Sequence, residues 1–125
     1  MEPGLGYALL VALGGALGGA ARHWVSGAVA ARMGEAFPWG TLAVNASGAA
    51  LIGLLAGLAE RGGLWLFLAI GVLGAYTTVS SFALQTLSLW RAGAWESAAL
   101  NMALSLGLCL LLATAGWALG ARLGA

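Results

Sequence analysis

Four hydroxyl side chains fall within five residues, at Thr77, Thr78, Ser80 and Ser81. They stand inside a charge-free run, 62–90, longer than the about 20 apolar residues that suffice to cross a bilayer. Hydroxyls at that depth must find partners or line something wet. Two chemistries suit them. Hydroxyls and amides can solvate a small anion without a formal positive charge, and Asn45 is the amide that shares a helix face with Thr41 and Gly48. Backbone carbonyls freed where a helix is interrupted can instead hold a small monovalent cation. The local sequence favours such an interruption. Gly71 and Gly74 remove stiffening side chains; Thr77, Thr78 and Val79 are β-branched; Ser80 and Ser81 can bond their own backbone.

Other groups extend these possibilities. Ser81, Gln85 and Ser88 recur at i, i+4 and i+7, and Asn101, Ser105 and Cys109 at steps of four. Phe82 offers a ring edge of partial positive charge, which tolerates an anion; lipid- or core-facing packing is the commoner fate of a membrane Phe. The Asn45 amide reads equally as a helix–helix hydrogen bond, worth about 0.6 kcal/mol in membranes. Arg22 is either an interfacial anchor beside Trp24 or a fixed positive charge in an aqueous vestibule. His23 has no second ligand at metal-binding spacing and reads as interfacial. Cys109 is the single cysteine, so no internal disulfide forms, and it packs as a small residue.

The elements that must carry these groups are membrane helices. Of 125 residues, 62% are hydrophobic and 7% charged, against roughly 25% charged in a soluble domain. Mean hydropathy is +0.97. The solvent of such a chain is largely lipid. Charge-free runs at 3–21, 36–59, 62–90 and 97–121 predict an all-α domain over 1–125, with four spans at roughly 4–31, 39–59, 63–90 and 96–121 and a broken third helix. Pro38 suits the start of the second helix and Trp39 the headgroup belt. The first run ends in small residues like a signal peptide. Glu2 occupies the place of a basic n-region, so the run is expected to stay as a span.

Charge excludes several functions. A net charge of +1 gives no basis for a nucleic-acid partner. No Asp or Glu falls deep in any predicted helix, where proton-coupled transporters and cation pores usually need one. A small multidrug exporter would be expected to carry Glu in its first helix. No nucleophile–base pair, metal cluster or phosphate loop is present, so the chain reads as no enzyme. A small coupled transporter and a structural membrane subunit stand as alternatives to an ion pathway.

Orientation is weakly specified. There is no Lys; Arg61 and Arg122 fall on one side, Arg22, Arg32 and Arg91 on the other. With Arg22 inside the membrane boundary the count is two against two. That reads either as noise from few charges or as dual topology, with copies inserted both ways. Glycines four apart (Gly14/Gly18, Gly15/Gly19, Gly53/Gly57, Gly116/Gly120) allow close helix approach, within one chain or between copies.

The chain resembles the Fluc (CrcB) family of fluoride channels over nearly its full length. The resemblance lies in G-G-A-L-G-G-A-A-R-H in the first helix, G-T-L-A-V-N-A-S-G in the second and G-A-Y-T-T-V-S-S-F in the third. It implies a dual-topology, antiparallel homodimer in a prokaryotic plasma or inner membrane, with two fluoride pores. A sodium ion would sit at the dimer centre on the carbonyls of Gly74 and Thr77. The fluoride pathway would pass Asn45, Phe82, Ser80 and Ser81, with Asn101 and Ser105 from the fourth helix. Arg22 matches the family's vestibule arginine, and Thr41 lies one turn before Asn45. The implied role is passive export of fluoride that enters as neutral HF and is trapped as the anion. Selectivity over chloride follows from the resemblance alone. The family pattern usually reads T-T-F-S-T-F, and Val79 stands in place of its first phenylalanine. A tyrosine is the expected residue where Asn101 stands.

Overall fold

The computed structural model describes residues 3–59 and 61–124. Glu2 and Glu60, two of the charges flanking the apolar runs, lie outside the described residues. All regular structure among the described residues is helical. Helix α1 spans Pro3–Met33, α2 Trp39–Gly57 and α3 Gly63–Trp65. A π-helical segment, Leu66–Leu73, leads into α4, Gly74–Tyr76; α5 then runs Val79–Arg91 and α6 Trp95–Leu123. Four stretches are long and apolar enough to cross a membrane: Pro3–Met33, Trp39–Gly57, Gly63–Arg91 and Trp95–Leu123.

The turns follow from residues that tolerate them. Gly34 and Gly93 take positive φ, 82° and 79°, just beyond α1 and α5, where a side chain would be strained. Each turn is flanked by an aromatic pair. The Phe37 and Trp39 rings lie 4.7 Å apart, and those of Trp90 and Trp95 5.7 Å apart. Trp95 Nε1 also donates to the Trp90 carbonyl at 3.2 Å. Rings of this kind suit a headgroup layer at the α1–α2 and α5–α6 end of the bundle.

Glycines set the packing. A side chain on Gly14 would meet the Phe67 carbonyl and Gly71, and one on Gly18 would meet Val72. Likewise Gly53 faces Ala113, Gly57 faces Trp117, Gly116 faces Ala50 and Gly120 faces Leu54. In both sets the residue numbers rise together, so the first and third spans run parallel, as do the second and fourth. Alternating up-and-down crossings require that pairing. Gly15 and Gly19 share the same spacing but make no such approach: Gly19 has nothing within 4 Å of an added Cβ. Gly18→Ala is therefore expected to lower the melting temperature in detergent, since overpacking typically costs about 1–3 kcal/mol. Gly107→Ala, where an added Cβ meets nothing within 4 Å, is expected to leave it unchanged or raise it.

The buried apolar set is small: Leu42, Val44, Ala46, Ala69, Leu73 and Ala98. Leu13, Leu17 and Leu84 face outward, as suits lipid. One departure from helix positions the site. Thr77 (φ −84°, ψ 156°) and Thr78 (φ −150°, ψ 128°) are both extended, between the end of α4 and the start of α5.

Candidate functional site

The extended pair is held by hydrogen bonds from three directions. Leu73's carbonyl accepts from Thr77 N at 3.1 Å and from Thr77 Oγ1 at 2.9 Å, closing the end of α4. Ser81 N donates to Thr78 Oγ1 at 3.2 Å, so Thr78 caps α5. Ser80 Oγ lies 3.1 Å from the same Thr78 oxygen. From α2, Asn45 clamps Thr78 with both ends of its amide. Its Nδ2 donates to the Thr78 carbonyl at 2.8 Å, and its Oδ1 accepts from Thr78 N at 2.7 Å. A backbone N–H can only donate and a carbonyl only accept, so this pairing fixes the amide's orientation.

The clamp has a consequence for the carbonyls. In an unbroken helix Thr78 N would donate to the Gly74 carbonyl, four residues earlier. It donates to Asn45 instead, which removes the helical donor from Gly74. Gly48 makes room: a Cβ there would run into the Thr77 methyl and approach the Tyr76 ring at 3.3 Å. Tyr76 in turn points its hydroxyl to Ser47 Oγ, 3.0 Å away.

Open space lies on two sides of Thr78, polar on one and mainly apolar on the other. A cavity of about 250 Å³ is lined by Arg22, His23, Ser26, Thr41, Thr78 and Ser81, among others. It shares His23, Ser26, Thr41 and Ser81 with a wider cavity of about 490 Å³ that reaches Gln85, Ser88 and, at the α1–α2 turn, Glu35. Gln85 Oε1 is buried there without a protein partner. On the other side lies an open, mainly apolar groove of about 840 Å³, whose polar or aromatic members are Asn45, Thr77, Thr78, Phe82 and Ser105. Val79 projects into that groove, 79% exposed.

The structure thus distributes the sequence-derived residues. Arg22, Thr41 and Ser81 line the cavities; Asn45, Gly74, Thr77, Phe82 and Ser105 line the groove. Ser80 touches Thr78 but lines neither space named. Asn101 is 2% exposed and also lines neither; its Nδ2 donates to Thr86 Oγ1 at 2.9 Å. Thr78 was one of the four clustered hydroxyls but was given no place in the pathway from the sequence, and Thr86 was not singled out at all. Thr78 is where the Asn45 clamp and the α5 cap meet, and its signal was a threonine three positions before Ser81 at a helix start. Thr86 carried only its spacing of four from Phe82.

These features define a class: a small multi-pass helical membrane protein with polar groups gathered around an extended pair in its third span. The model of a family described as "CrcB-like protein, Camphor Resistance (CrcB)" matches residues 9–117. A protein of Rhodopseudomonas palustris named "Fluoride-specific ion channel FluC 2" is 54% identical over 117 residues, covering 88% of this chain and 89% of its own length. One of the same name from Bradyrhizobium diazoefficiens is 49% identical over 123 residues, covering 93% and 90%. "Fluoride-specific ion channel FluC" of Methylocella silvestris is 48% identical over 110 residues, covering 82% and 84%. The chain belongs to the CrcB family.

Proposed function

We propose that this chain is a fluoride-selective channel of the prokaryotic plasma membrane, releasing cytoplasmic fluoride down its gradient. The observation that carries the reading is the near-full-length similarity to relatives named fluoride-specific ion channels, at 54% and 49% identity. The site supports it. A polar cavity on one side of Thr78 offers an arginine and hydroxyls, and the mainly apolar groove on the other is lined by the Asn45 amide, Thr77 and Ser105; together these supply the donors an anion needs. Helix α5 begins there, so the positive end of its dipole lies at the same place. A coupled transporter is not favoured by these relatives. Fluoride efflux from liposomes holding the purified chain tests the proposal. A trace well above protein-free liposomes is expected, and a trace equal to them would defeat it.

The working unit is an antiparallel, dual-topology homodimer. In this reading the extended pair breaks the third span at bilayer depth. Gly74 is exposed in the single chain, and lipid offers no donor or cation to a carbonyl that has lost its helical partner. A second copy seated on the groove would cover Val79, Phe82 and Leu106 together with that backbone. A sodium ion between the Gly74 and Thr77 carbonyls of both copies would satisfy them; carbonyl oxygens suit a small hard cation. Native mass spectrometry is expected to find one sodium per pair. A conducting pair of sodium-free mass would remove the ion from the account.

Val79 leaves Phe82 as the one aromatic side chain lining the groove among the described residues. Val79→Phe adds a second ring edge beside the path. Fluoride efflux is expected to rise, because a ring edge interacts with an anion where an isopropyl group does not. An unchanged or slower trace would show that Phe82 and the hydroxyls already suffice.

A further inference from the structure

Asn101 is the most deeply buried polar side chain in α6, yet it faces neither cavity nor groove. Its amide sits inside a chain of side-chain hydrogen bonds. Thr86 Oγ1 lies 2.8 Å from the Phe82 carbonyl, one turn earlier on α5. That carbonyl can only accept, so the single Thr86 proton is committed to it. Thr86 therefore receives its own bond as an acceptor, from Asn101 Nδ2 at 2.9 Å. On the far side of the amide, Ser105 Oγ approaches Asn101 Oδ1 at 3.5 Å. Ser105 and Phe82 both line the groove, and the path joining them is internal.

We infer that Asn101 and Thr86 are positioning residues for Phe82, joined in a relay that fixes the first turn of α5 against the groove. This rests on the fluoride-channel reading above. A threonine that bonds back to the carbonyl four residues earlier bends its helix slightly. Here that bond is held in place from α6, so the direction in which Phe82 leaves the backbone is tied to a neighbouring helix. At 3.5 Å the last link is the longest, and it leaves the Ser105 proton free to turn into the groove toward an anion. The fourth helix then contributes in two ways: Ser105 touches the path, and Asn101 orders the residue opposite it.

The test uses the full-length chain carrying 4-fluorophenylalanine, which labels Phe37, Phe67 and Phe82. Thr86→Val keeps the shape and deletes the hydroxyl. It and Asn101→Leu are each expected to shift the Phe82 fluorine resonance and to slow fluoride efflux about three- to tenfold, the worth of one hydrogen bond. Because both act through one relay, the double variant is expected to be no slower than the slower single. Thr86→Ser is expected to restore both native readouts. Thr114→Val deletes the same kind of backward bond on α6, outside the relay, and is expected to change neither. Multiplying rate losses in the double variant, or an unmoved Phe82 resonance in both singles, would overturn the inference. If Asn101→Leu does not fold, the Thr86→Val and Thr86→Ser pair decides alone. If the native chain passes no fluoride, the functional reading falls, while the resonance still decides the relay.

Discussion

Asn45→Leu is expected to abolish fluoride efflux. The substitution keeps a side chain of similar bulk but removes both bonds to Thr78, whose N–H and carbonyl then lie inside an apolar bundle without partners. Each such group costs roughly 1–3 kcal/mol when left unpaired. Together they penalise the extended conformation by on the order of 2–6 kcal/mol, which is roughly 30-fold or more in population. The third span then has an incentive to close into continuous helix, with Thr78 N returning to the Gly74 carbonyl. Hydrogen exchange at Thr78 should report that change, and the flux assay its consequence. Asn45→Asp separates the clamp from the amide's other uses. It still accepts from Thr78 N, but an ionised carboxylate cannot donate to the carbonyl and would set a negative charge beside the proposed fluoride path. Its efflux is also expected to be lost. Native flux in either variant would show that the clamp is dispensable.

Val79→Arg is expected to separate the copies. Val79 is the most exposed large apolar residue of the third span and projects into the groove that the second copy would cover. An arginine near the bilayer centre costs about 2.5–3.5 kcal/mol, enough to weaken pairing about 100-fold. In a lone chain the long side chain can reach toward an interface, so insertion should survive. Co-purification of two differently tagged copies is expected to disappear along with efflux, while Val79→Leu keeps both. Loss of efflux with intact co-purification would place the groove in permeation rather than in pairing.

Much of this was legible in the sequence because charge is so scarce. The charge-free runs give four spans, since each ionised side chain at depth is costly. The four hydroxyls beside Gly74 marked the stretch that holds the extended residues Thr77 and Thr78. What the sequence left open was which side each polar group would take. Asn45 could have served a path or a neighbouring helix; the structure commits its amide to a backbone 33 residues away, a contact with no local signature. Asn101 and Ser105 lie four apart on one face, yet only Ser105 lines the groove, because α5 packs over Asn101. Gly14/Gly18 and Gly15/Gly19 have identical spacing, and only the first pair lies tight against the backbone of the third span. Periodicity names a stripe on a helix; which neighbour lies over it is a property of the whole bundle. The π-helical segment Leu66–Leu73 likewise had no sequence signal, its wider turn lying where α1 crosses at Gly14 and Gly18.

Selective passage of fluoride is read out by one paired measurement. Liposomes holding the native chain are loaded with equal fluoride and chloride, and both ions are followed outside with ion-selective electrodes once a potassium ionophore clamps the voltage. Fluoride is expected to empty from the protein-containing vesicles while chloride stays at the protein-free leak. Equal release of the two anions, or release of neither, would contradict the account.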